Sequence, residues 1–157
     1  MGGLFATEAH NYVPDPEPRP PWTGPWAMIT GGGHGEDKID IWYAEGKRAG
    51  FIVDTLEDLH RTAFFFKIPL AESHGGPRVI PVDPPMPKEK TPCPIVAPPE
   101  RWARLTYDKE PPYWRTYTIW LKDKRLATLY PGTGTQFHFH DKEAFETLGI
   151  PVIAKQD

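Results

Sequence analysis

The sequence predicts an α+β domain: a small antiparallel sheet with two short helices, set among long proline-rich extended segments. Three observations predict it. Proline supplies 20 of the 157 residues, well above the roughly 5% of an average chain. Aromatic residues make up 13%, a content that disordered chains lack. The apolar pattern alternates between period 2 and a period of three to four within two blocks, 38–70 and 101–153.

Residues 1–37 read as an extended arm. Six prolines fall between Pro14 and Pro25, which forbids a helix and favours polyproline II. Trp22 and Trp26 follow in a segment without a core of its own, so both are candidate partner-binding residues. Gly31–Gly35 reads as a hinge, since no Lys-Ser/Thr follows to make a phosphate loop.

The domain itself is expected over 38–157. Lys38–Tyr43 and Ala49–Val53 predict a hairpin. Asp54 followed by Glu57 predicts a helix start, and Leu56, Leu59, Ala63 and Phe66 supply its apolar stripe until Pro69. Ten more prolines occupy 69–100. Arg78–Val82 is a candidate edge strand, because Pro81 would be tolerated only at an edge. Residues 83–100 then form a proline-rich strap, with Pro84, Pro85 and Pro87 as candidate partner contacts. Such a segment loses little entropy on being ordered by a partner.

In the second block, Arg101–Tyr107, Tyr113–Leu121 and Leu126–Tyr130 predict strands, the last two joined as a hairpin. Phe137–His140 predicts another short strand. Asp141 is the expected N-cap of a second helix, with Phe145 and Leu148 on its apolar face and Gly149 at C′. Each block therefore reads as a hairpin followed by a capped helix, a loose echo of one another.

Composition excludes several classes of function. With 18 basic and 21 acidic residues the net charge is −3, so no broad basic field attracts nucleic acid. No run approaches the roughly 20 apolar residues of a membrane span, and the N-terminus lacks the pattern of a secretory signal. Cys93 stands alone, which rules out an intrachain disulfide, fits a reducing compartment and suggests an inert thiol.

His138 and His140 are the candidate metal ligands. At i and i+2 of a strand both imidazoles would point one way, but the sequence shows no third ligand. They are therefore expected to face solvent or a partner. His60, on the first helix, reads as a hydrogen-bonded boundary residue. No nucleophile elbow, zinc spacing or dinucleotide fingerprint occurs, and no cofactor is expected. The primary expectation is a non-catalytic accessory subunit of a large protein assembly, in an organelle such as the mitochondrion or in a virion. The alternatives are a small metal-dependent enzyme or metal-binding β domain using His138 and His140, and a free-standing peptide-binding module.

Overall fold

The computed structural model describes residues 22–31, 37–71, 84–111, 114–132 and 140–154. In chain order its elements are β1 (Trp26–Gly31), β2 (Asp37–Ala44), β3 (Lys47–Val53), α1 (Leu56–Phe66), β4 (Leu70–Ala71), β5 (Arg101–Tyr107), β6 (Arg115–Leu121), β7 (Lys124–Pro131), α2 (His140–Thr147) and β8 (Val152–Ala154). They form one eight-stranded sheet in the order β4-β1-β2-β3-β7-β6-β5-β8.

That order corrects the small antiparallel sheet expected from sequence. The sheet is large and mixed, because β4 lies parallel to β1 and β8 parallel to β5. Strand β1 had been hidden in the segment read as an arm, between Pro25 and the glycine run. Strands β4 and β8 are two and three residues long, too short for alternation to show in sequence.

The sheet order reads the same from either end when β1 to β4 are matched with β5 to β8. Each half is a three-stranded meander, a helix and a short returning strand. The two halves meet through the antiparallel pair β3–β7, so an approximate twofold axis passes through that junction. Hydrogen bonds fix the residue correspondence. Ile68 donates to Ala63 and Ile150 to Phe145, across helix ends whose Lys67 and Gly149 are left-handed. Pro69 then accepts from Ala27 as Pro151 accepts from Ala103. Trp26 pairs with Trp42, and Trp102 with Trp120, at the same register.

Local chemistry explains the helix ends. Thr55 caps α1: its hydroxyl accepts from the Asp58 amide at 3.3 Å, and the Asp58 carboxylate accepts from the Thr55 amide at 3.2 Å. This capping box lies one residue beyond the expected Asp54–Glu57 pair. Leu56, placed in the apolar stripe by its spacing, is the first residue of the helix and is 56% exposed. Gly149, at φ 74°, occupies the C′ position expected of it.

Alternation divides the sheet's side chains between two faces. One face carries Ile39, Ile41, Phe51, Tyr117, Ile119 and Leu129, packed with both helices in a single buried cluster. Helix α1 rests on β7 and β6 as well as on β2 and β3, whereas α2 rests on β3 and β2. Each helix therefore completes the core of the opposite half. Phe145 sits where the halves meet, 4.5 Å from Tyr117, 5.3 Å from Phe66 and 5.9 Å from Phe51 between ring centroids. The other face stacks Trp26 on Trp42 at 6.0 Å and Trp102 on Trp120 at 5.2 Å.

Phe145 is fully buried and touches three rings from three elements. Phe145→Ala is expected to cost about 3–5 kcal/mol and to lower the urea midpoint for both halves together. Trp114→Ala, at a site 58% exposed, should change stability by less than about 0.5 kcal/mol. Urea unfolding followed by far-UV circular dichroism measures both.

Candidate functional site

Polar side chains gather at two helix N-termini, and the two places differ. At α2, Asp141 is 1% exposed. Its carboxylate accepts from Arg115 Nε at 3.0 Å, Arg115 Nη2 at 3.0 Å and the Tyr117 hydroxyl at 2.7 Å. Asp141 was expected to cap the helix. It lies instead inside the first turn, because α2 begins at His140, and its oxygens are saturated by β6.

Beside it, the Tyr43 hydroxyl and His140 Nδ1 share a 3.0 Å hydrogen bond, and Lys47 Nζ donates to Glu143 Oε2 at 2.9 Å. These contacts tie α2 to the β2–β3 hairpin. The Lys47 hydrogen bond lowers the pKa of Glu143. Burial, then the neighbouring Glu143 charge, pushes the Tyr43 hydroxyl up to about 12. Tyr117 is also raised, by burial first and then by its hydrogen bond to Asp141. Each acid of the cluster ties the helix to a strand, Asp141 from a buried position and Glu143 from an exposed one.

At α1 the junction is open. A groove of about 490 Å³ runs between the helix N-terminus, β7 and the strap. Arg61 forms its inner wall, bonded to Asp58 Oδ1 at 2.8 Å and to the strap's Pro85 carbonyl at 2.8 Å. Met86 packs partly buried against the core. A second hollow of about 310 Å³ adjoins it, and Glu89, Thr91 and Arg125 line both. Arg125 donates to Thr128 Oγ1 at 2.7 Å.

The candidate residues from sequence scatter across this frame. Trp26 begins β1 and stacks on Trp42, and Trp22 lies half-buried just before it. Pro85 is exposed, with Pro84 and Pro87 half-buried, and Pro85 and Pro87 line the larger groove. His138, Arg78–Val82 and Gly32–Gly35 lie outside the described residues. His140 belongs to α2 rather than to a strand, so the strand geometry expected of the histidine pair does not hold at His140. Among the described residues no three His, Cys, Asp or Glu side chains gather to hold a metal ion, and no helix is long and apolar enough to cross a membrane. Sequence reading missed Arg61 and Arg125. No sequence pattern marks Arg61, and Arg125 is marked only by the basic pair Lys124-Arg125, which matches Lys47-Arg48 at an equivalent turn and by itself reads as a solvated turn. No family model, curated protein or solved structure matches this chain.

Two outcomes are expected at α2. Asp141→Asn removes the buried carboxylate charge that faces Arg115 and should destabilise by about 3–5 kcal/mol, measured by thermal and urea unfolding. Tyr43 is neutral in the fold to higher pH than in the unfolded chain. Its contribution is therefore complete below pH 10 and lost between pH 10 and about 12. Tyr43→Phe should flatten that part of the stability–pH curve.

Proposed function

We propose that the chain is a non-catalytic binding subunit of a larger protein assembly, of the kind found in organellar complexes and virions. One observation carries this reading. The strap is fastened at both ends, through Pro85 to Arg61 and through the Glu100 carbonyl to the Lys122 amide at 2.8 Å, while its middle turns outward. Val96 is 95% exposed, and Pro94, Ala97 and Pro99 are exposed with it. A ribbon already ordered at both ends loses little entropy when a partner covers it.

The polar chemistry of the described residues supports the same reading. Asp58 is spent on a helix cap and on Arg61, Asp141 on Arg115 and Tyr117, and Glu143 on Lys47. General acid–base catalysis needs a group held within reach of substrate; Asp58 and Asp141 are buried in their pairs, and Glu143 is held by Lys47 at the surface. Trp22, Trp26, Pro84, Pro85 and Pro87 remain the proposed contacts at the arm and strap.

Size-exclusion chromatography of an extract of the source cells or particles, followed with an antibody, tests this proposal. The chain is expected to elute in a complex far larger than its own 17.8 kDa. Replacing Val96 by Lys should release it from that complex without moving the melting temperature of the purified chain. Elution as a free 17.8 kDa species would contradict the proposal.

A further inference from the structure

The internal repeat allows each charged position to be compared with its counterpart in the same molecule. Arg48 pairs across the sheet with Trp42, and Arg125 pairs with Trp120. Asp40 and Thr118 lie two residues before those tryptophans. Lys47 and Lys124 open the equivalent strands β3 and β7. Counting back from Phe145 and Ala63, Glu143 of α2 corresponds to Arg61 of α1.

In the first hairpin both cations have carboxylates. Arg48 lies 3.7 Å from Asp40 and 5.3 Å above the Trp42 ring, and Lys47 bonds Glu143 at 2.9 Å. In the second hairpin both carboxylates are gone. Thr118 stands at the place of Asp40, and Arg61, itself a cation, at the place of Glu143. Among the described residues Lys124 and Arg125 have no carboxylate within ion-pair distance. The partner of Arg125 is the neutral Thr128 hydroxyl. The groove opens at this junction, at whose counterpart in the other half Lys47 and Glu143 form an ion pair.

We infer that Arg125 and Lys124, at the seam between the two hollows under the strap, receive carboxylate side chains from an acidic segment of a partner protein. The molecule itself shows what this position takes, since Arg48 and Lys47 already hold carboxylates there in the first half. Other charges face the groove. Asp58 is paired with Arg61, Asp54 accepts from Tyr130 at 3.5 Å, and Glu57, Glu89 and Lys88 are exposed. Asp123 and Lys90 line the smaller hollow. The inference rests on the binding-subunit reading and names its partner's chemistry.

The test uses the full chain, titrated with N-acetylated hexaglutamate amide and followed by NMR at the Arg125 Nε–H and the Lys124 amide. Hexaglutamine amide and inorganic phosphate serve as the other probes. Hexaglutamate should shift both signals, with an affinity that falls as salt is raised. Arg125→Gln should weaken it roughly tenfold or more. Thr118→Asp restores the missing carboxylate inside the chain, so it should abolish the binding while the remaining amide signals stay native. Equal binding by either variant, shifts centred on Lys47 and Arg48, or phosphate binding as tight as hexaglutamate would each overturn the inference. The two readings fail separately. A large native complex with no hexaglutamate binding removes the groove assignment alone, whereas binding by a chain that is free in the cell removes the subunit reading alone.

Discussion

The structure depends on a junction too small to hold itself together by backbone pairing. Among the described residues strands β3 and β7 meet over two residue pairs, Phe51 with Pro131 and Ile52 with Tyr130, with one more bond from the Gly132 amide to the Gly50 carbonyl. Net contributions of about 1 kcal/mol per hydrogen bond cannot join two halves of a sheet through so short a ladder. The rings above the junction do. Phe51 and Phe66 come from the first half, Tyr117 and Phe145 from the second, and all four are buried in one cluster. Burying such side chains contributes about 1.5–3 kcal/mol each, and here that burial exists only when both halves are present.

This sharing explains the remaining architecture. A meander of three strands leaves one face bare, and a single short helix covers too little of it. Crossing each helix onto the opposite half's inner strand lets two helices cover one face of the eight-stranded sheet. The Ile-Pro sequence after each left-handed helix end then turns the chain back beside its own first strand. Apolar positions had to stay matched between the halves, whereas polar positions at the rim were free to diverge. Ion pairs tie α2 to the strands beneath it, and a strap fastened through Arg61 crosses a groove at α1.

Elements whose signal is local were legible from sequence. The α1 stripe of Leu59, Ala63 and Phe66, the hairpin turns and the terminating Gly149 follow from spacing and backbone chemistry within a few residues. What escaped depends on distant chain. Strand β1 lies among prolines and glycines and is recognisable only by its pairing with β2. Strands β4 and β8 exist because a helix delivers them to an edge. Asp141 has the composition of a cap, yet its fate was decided by Arg115 and Tyr117, which lie 26 and 24 residues away. The repeat was visible only as an echo, because its shared residues, Trp-Ala at 26 and 102 and Ile-Pro at 68 and 150, are few and widely spaced.

The central claim is that neither half has a complete core without the other. Fragment complementation measures this most directly, with the chain divided between residues 75 and 76 and each piece followed by two-dimensional NMR. The account predicts collapsed, poorly dispersed spectra for each fragment alone, and the dispersed spectrum of the intact chain when the two are mixed in equal amounts. A dispersed, cooperatively melting spectrum from either fragment by itself would contradict it.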